Sequence, residues 1–199
     1  MNDSILLIFT KYPQLGKCKT RLAKSIGEEK ALEVYELLLH KTASIIPEIE
    51  ADTAVFFDGE IHQHKRWKES HYQKLQAEGD LGLKMKEAFK WAFEMKYTKV
   101  CIIGSDLWDI EAPLIQNAFE ALDNSEVVVG PAQDGGYYLF GSRSFIPEAF
   151  ELSEWSTSHV FRETLDKLEG KKIHLLPEKN DIDTVEDLKR IPFFEDYVC

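Results

Sequence analysis

Short apolar runs alternate along the chain with longer stretches in which apolar residues recur at helical spacing. Residues 5–9 are continuously apolar, the pattern of a strand buried on both faces. Leu32, Tyr35, Leu38, Leu39 and Ile46 share one stripe, with Glu29, Glu33 and Glu36 elsewhere on the wheel, which predicts an amphipathic helix. Residues 53–57 are rich in β-formers and stop at Asp58-Gly59, a turn signal. Residues 63–70 read as a short polar helix, 83–95 as a strong helix and 100–103 as a strand. Pro113 suits the first turn of a helix that runs to Leu122. Strands are predicted at 127–129, ending in Gly130-Pro131, and at 137–140. A helix at 158–168, a strand at 173–176 and a helix at 184–190 complete the pattern. Repeated βαβ units predict an α/β fold: a mainly parallel, mixed sheet with helices on both faces. The segment 130–157, rich in Gly, Ser and aromatics, interrupts this alternation and is the expected substrate face.

Composition narrows the class. A chain of 199 residues is expected to form one domain over 1–199. Its net charge of -11 argues against nucleic-acid partners, whose phosphate backbones need a basic face. Cys18, Cys101 and Cys199 are widely spaced, which fits a reducing compartment and no zinc site. No apolar stretch approaches the ~20 residues that span a bilayer. The first apolar run has no basic region before it, so it reads as a buried strand and not a signal peptide. A cytoplasmic protein without membrane insertion is expected.

Against that acidic background the charged loops stand out. In a parallel α/β sheet, ligands bind where the strands' carboxyl ends line a crevice. The first strand leads into Lys11, Gly16, Lys17, Lys19 and Arg21, with no carboxylate among them. Such a strand–loop–helix segment can cradle phosphate, and Arg21 can contact it bidentately. The spacing is neither GxxxxGK[ST] nor GxGxxG, and a solvated basic loop turning at Gly16 is the plain alternative. The strand 100–103 opens into Gly104-Ser105-Asp106, where a carboxylate can hold Mg²⁺ or Mn²⁺. The competing reading has Asp106 or Asp109 cap the helix that contains Pro113.

Two further segments carry acid or glycine. In Asp134-Gly135-Gly136-Tyr137-Tyr138 the glycines allow close backbone approach, or simply turn the chain into a strand. Tyr137 and Tyr138 point to opposite faces, so at most one is expected to line the crevice. Asp181 and Asp183 lie on the same side of an extended segment and can join Asp106 around a metal. Asp183 or Thr184 also reads as an N-cap, with Glu186 or Asp187 in the first turn. The six histidines form no ligand pattern, and His62 and His64 are expected to face solvent. Trp67, Trp91, Trp108 and Trp155 read as core, and Trp108, directly after the Asp106 segment, is also placed to touch a ligand.

Together these segments resemble a family of bacterial glycosyltransferase-like proteins related to nucleotide-diphospho-sugar transferases, some named arsenosugar biosynthesis glycosyltransferases. The resemblance rests on residues 9–13 with Gly16-Lys17 and Lys19-Thr20-Arg21-Leu22, and on Gly79-Asp80-Leu81-Gly82 followed by Met85. Ile103-Gly104-Ser105-Asp106, Gly130-Pro131-Ala132, Asp134-Gly135-Gly136-Tyr137-Tyr138, Trp155-Ser156-Thr157 and Asp181-Ile182-Asp183-Thr184 continue it in order, over nearly the whole chain. The 2-phospholactate and molybdenum-cofactor guanylyltransferases are similar at greater distance. Family members usually carry proline where this chain has Trp108.

The resemblance implies a GT-A-type, Rossmann-like α/β/α sandwich. It implies a nucleotide or phosphate site at Lys11, Gly16, Lys17, Lys19, Arg21 and Asp80, and Mg²⁺ or Mn²⁺ at Asp106 with Asp181 and Asp183. Gly135, Gly136, Tyr137 and Trp155 fall on the acceptor side, with Asp134 as acceptor contact or base. The expected activity is metal-dependent transfer from a nucleotide or nucleotide-diphospho-sugar, as glycosyl transfer to a small-molecule acceptor. Nucleotidyl transfer from a nucleoside triphosphate to a phosphorylated small molecule is the alternative in the same fold. A nucleotide-binding module without turnover is the alternative outside enzymology.

Overall fold

The computed structural model describes residues 2–61 and 65–198. The expectations for His62, Gln63, His64 and Cys199 lie outside the described residues. Among the described residues, seven strands form one sheet: β1 (Ser4–Lys11), β2 (Asp52–Asp58), β3 (Tyr72–Leu75), β4 (Lys99–Ile103), β5 (Val127–Pro131), β6 (Tyr137–Ser142) and β7 (Ile173–Leu175), in the order β3-β2-β1-β4-β6-β5-β7. β6 alone runs antiparallel to its neighbours; every other pairing is parallel. β5 and β6 are joined by only residues 132–136, and so short a link reverses the chain, whereas a parallel pair needs a long crossover.

Among the described residues six α-helices accompany the sheet: α1 (Thr20–Ile26), α2 (Glu28–Ser44), α3 (Leu81–Glu94), α4 (Ala112–Asn124), α5 (Val160–Lys167) and α6 (Val185–Leu188). Strand alternation divides the core into two layers. Leu6, Ile8, Val55 and Ile103 pack on one face with Tyr35 and Leu39 of α2 and with Ile115 and Phe119 of α4. Ile5, Leu7, Phe56 and Ile102 pack on the other with Met85 and Phe89 of α3. This is the expected three-layer sandwich. A third cluster joins Leu22 of α1 and Leu38 of α2 to Ile182, Leu188 and Phe194 near the C-terminus.

Three details differ from the sequence reading. β3 was not expected, because its residues Tyr72-Gln73-Lys74-Leu75 are largely polar; it is an edge strand, where a polar face is tolerated and discourages further pairing. The polar helix expected over 63–70 is a 3-10 turn, Lys65–Trp67, with Trp67 buried. The helix read from the stripe beginning at Leu32 is preceded by a separate short one, α1, which Gly27 (φ 88°) ends as it opens α2.

Candidate active site

A cavity of about 730 Å³ opens where the carboxyl ends of β1 and β4 meet the start of β6. Lys11, Lys17, Lys19, Arg21, Asp106, Asp134, Gly136, Tyr137, Trp155, Asp181 and Asp183 all line it. Residues up to 172 positions apart in sequence thus converge as the switch-point rule expects. Gly16, Asp80 and Gly135 are not on the lining, and each has a local structural task. Gly16 (φ 71°) turns the β1 loop, which closes with Lys17 N–H donating to the Gln14 carbonyl at 3.0 Å. Asp80 caps α3, accepting from the Leu83 N–H at 2.8 Å. Gly135 (φ 88°) lets the 134–136 turn lie against Ser158: a Cβ there would fall 2.2 Å from the Ser158 carbonyl oxygen.

Lys19 departs most from its expected role of holding phosphate. Its side chain is only 4% exposed, and its ammonium lies 2.7 Å from Asp106 Oδ1 and 3.0 Å from Asp183 Oδ1. Burial pulls the lysine pKa down, but Asp106 and then Asp183 outweigh it and hold Lys19 charged. Its charge is therefore given to carboxylates. Lys11, Lys17 and Arg21 remain exposed on the lining, with Arg21 Nη1 3.5 Å from Asp183 Oδ2.

The capping alternatives resolve locally. α4 begins after Glu111 with Pro113 in its first turn, and neither Asp106 nor Asp109 caps it. Asp109 instead pairs with Lys179. At α6, Thr184 is the N-cap and Asp187 accepts from its backbone and hydroxyl, each at 2.8 Å. Asp183 is thereby free to turn its carboxylate to Lys19. Capping and cation binding are separate tasks of neighbouring residues. Ile182 N–H donates to the Asp106 carbonyl at 3.0 Å, which ties this segment to the end of β4.

Asp181 is the acid least provided for. Burial, and then the nearby Asp106 charge, push its carboxyl up to about 7 in spite of Lys19. Among the described residues, no three acid, histidine or cysteine side chains are drawn together closely enough to hold a metal ion as they stand. Lys19 explains this, since it occupies the space between Asp106 and Asp183.

The part of the lining around Tyr137 and Trp155 is built differently. Tyr137, Trp155, Leu81, Met85 and Val160 give it an apolar, aromatic surface edged by Ser156, Thr157 and Ser158. Trp155 reaches this wall because α3 carries Gly82 there: a Cβ would lie 2.3 Å from the indole nitrogen and 2.4 Å from the Phe150 carbonyl. Trp155 is thus a lining residue as well as a packing one. Ser156 adopts φ 63°, uncommon for a residue with a side chain. Asp134 Oδ1 accepts from the Gly136 N–H at 2.9 Å, which fixes the turn.

Two expectations about aromatics are corrected. Tyr137 and Tyr138 do face opposite core layers, yet both touch the cavity, which sits at the strand's end and spans both faces. Trp108 does not line the cavity. It stacks on Phe193 at 4.7 Å and meets Phe194 edge-on at 4.7 Å, so it anchors the C-terminal segment.

Other lining residues were not singled out from sequence. The Tyr35 hydroxyl receives the Lys11 N–H at 3.0 Å and braces the end of β1. Its place on the apolar stripe of α2 carried no signal of this. Asp58 and Lys84, paired at 2.9 Å, and Gln76 line the end nearest β2 and β3. No helix among the described residues is long and apolar enough to cross a membrane.

Residues 42–157 match the model of the family described as "Uncharacterized protein conserved in bacteria (DUF2064)". No curated protein matches the chain. Among solved structures, a "putative nucleotide-diphospho-sugar transferase" from Desulfovibrio desulfuricans is 32% identical, with 98% of this chain and 89% of that one covered and a TM-score of 0.89. A cytidylyltransferase from Leptospira borgpetersenii is 14% identical over 100% of this chain and 90% of its own, with a TM-score of 0.62. A Mycobacterium tuberculosis protein in complex with manganese is 13% identical over 94% and 96%, with a TM-score of 0.57. The last two likenesses are of fold alone.

Proposed function

The chain belongs to the DUF2064 family of bacteria, and from that premise we propose that it is a transferase that takes a nucleotide-diphospho-sugar donor and passes the sugar to an uncharged small-molecule acceptor. The observation that carries this reading is the division of the cavity into a charged wall and an aromatic, hydroxyl-lined wall. Lys11, Lys17 and Arg21 would take the donor's phosphate oxygens, each contact strengthened by charge. Tyr137 and Trp155, with the hydroxyls of residues 156–158, would receive a sugar or similar neutral face.

This division also favours one of the two transfer chemistries. Nucleotidyl transfer needs a phosphorylated acceptor, and a phosphate dianion needs a cation. The lysines and arginine on the lining are Lys11, Lys17, Lys19, Arg21 and Lys84; the segments 134–138 and 155–160 contribute none, and Lys84, from the same helix as Leu81 and Met85, is already paired with Asp58 at 2.9 Å. Glycosyl transfer to a neutral hydroxyl fits that wall. Asp134 lines the cavity at the start of the 134–138 segment and is our candidate to accept the acceptor's proton, its other oxygen being fixed by Gly136.

The donor set of Asp106, Asp181 and Asp183 suits a hard divalent ion such as Mg²⁺ or Mn²⁺, since all its ligand atoms are carboxylate oxygens. An ion held there would supply charge stabilisation to the departing diphosphate. The chain's own part is to hold these carboxylates at the end of β4 and the start of α6, and to exclude water with the aromatic wall. We place the activity in the cytoplasm, in one domain spanning 1–199.

A thermal-shift panel of nucleotides and nucleotide-sugars, with and without Mn²⁺, tests the reading. A true donor stabilises the folded state by mass action, so one nucleotide-sugar should raise the melting temperature selectively. Asp106→Asn should lose the metal-dependent part of that rise. A panel in which no nucleotide shifts the transition overturns the proposal.

A further inference from the structure

A cation already sits in the carboxylate cluster, and it is a side chain. The Lys19 ammonium makes one ion pair to Asp106 at 2.7 Å and one to Asp183 at 3.0 Å, with 4% of the side chain exposed, while those carboxylate side chains keep 43% and 42% of their surface. The lysine is thus the deep partner and the acids the outer ones. Its seat is also conformationally demanding: Lys19 holds φ 49° and ψ 44°, the left-handed region, which persists only where surrounding contacts over-determine it.

We infer that Lys19 is the resident counter-cation of this cluster, and that a divalent metal engages Asp106 and Asp183 together only by displacing the ammonium into the cavity, towards the donor's phosphates. The inference rests on the reading of the site as one for metal and nucleotide. Its physical basis is repulsion: the ammonium already lies against Oδ1 of both acids, and a dication bridging the same two carboxylates, even through their other oxygens, would stand close to it. The displaced group has a destination, because Lys19 itself lines the cavity beside Lys17 and Arg21. Without metal, the acids are neutralised from within and the cluster stays folded. With metal, a fourth cation joins Lys11, Lys17 and Arg21 on the phosphate wall. Metal and nucleotide would then each raise the other's affinity by the same factor, as linkage requires.

Two measurements decide this. The first follows Mn²⁺ binding by electron paramagnetic resonance, with the metal alone, in the wild-type protein and in Lys19→Met. Removing the competitor should tighten Mn²⁺ at least tenfold; unchanged or weaker affinity in a folded Lys19→Met protein overturns the inference. The second uses the wild-type chain only and so does not depend on the variant folding. Lys19 should resist reductive methylation in the absence of metal and become modified several-fold faster at saturating Mg²⁺, as mapped by mass spectrometry. Continued protection of Lys19 with Mg²⁺ bound overturns the inference and leaves the metal reading standing. If neither protein takes up Mn²⁺, the metal reading falls, and the role of Lys19 falls with it.

Discussion

The two walls of the cavity are held in place by different physics. The wall at the ends of β1 and β4 is set by charge: Lys19 draws Asp106 and Asp183 together, and Arg21 stands 3.5 Å from the second of these. The wall at the start of β6 is set by volume. There Gly82 admits the Trp155 indole, Gly130 admits the Tyr138 ring and Gly135 admits the Ser158 backbone, each at a distance where a Cβ would collide. Ion pairs answer to pH, salt and bound cations, whereas close packing answers to a single added methyl. A donor that arrives with phosphates and a metal meets the adjustable wall. An acceptor whose shape must be recognised meets the rigid one.

The comparison breaks most severely at Gly135. Gly135→Ala adds a methyl 2.2 Å from the Ser158 carbonyl oxygen at a position with φ 88°. Strain and overlap together should cost about 2 kcal/mol or more, which lowers the melting temperature by on the order of 4–8 °C in a chain of this length. A melting curve equal to wild type would show that the rigid wall yields. Arg21→Ala tests the other wall. It should weaken nucleoside-diphosphate binding roughly tenfold by calorimetry and leave the melting temperature almost unchanged, because an exposed pair such as Arg21–Asp183 contributes little to folding. Unchanged affinity would remove Arg21 from the phosphate wall.

Gly82→Ala sharpens the contrast further. The added methyl meets Trp155 and the Phe150 carbonyl, so acceptor KM should rise several-fold while donor affinity stays as it was. A matching loss of donor affinity would mean that the walls are not independent.

A further test of the charged wall is one of pH. The Asp181 carboxyl titrates near 7 in the folded chain and near ~3.9 when unfolded. The folded state therefore holds this proton more tightly. The stability it lends is complete below about pH 4 and is lost as pH rises through 7. In metal-free buffer, the stability advantage of Asp181→Asn over wild type should grow between those limits and level off above them. A gap that does not change with pH would remove Asp181 from the charged cluster.

Much of the layering was legible in the sequence because it is local or periodic. The run 5–9 became the core of β1, the stripe through Leu38 and Leu39 became the buried face of α2, and Pro113 fell in the first turn of α4. The polar edge strand β3 was illegible, since half-exposed strands lack the apolar signature. The same limit applies to Tyr35 and Trp108. An apolar residue at the right period announces that it will be buried, without saying which atoms its polar or aromatic end will meet.

The sequence by itself determined most of the segments that became strands and helices, that the carboxyl ends of β1 and β4 would carry opposite charge, and that glycines would cluster before β6. Those properties follow from periodicity, residue chemistry and chain direction, all of which are local. Only the tertiary structure decided how the charges are spent. Lys19 and Asp183 lie 164 residues apart, and nothing near either one reveals that a buried ammonium joins them. Their meeting depends on Thr184 and Asp187 taking the cap, on Ile182 hydrogen-bonding to the end of β4, and on α1 entering the site through a left-handed residue. Long-range pairing of charges is a consequence of topology, because burial sets the value of an ion pair and the fold sets burial.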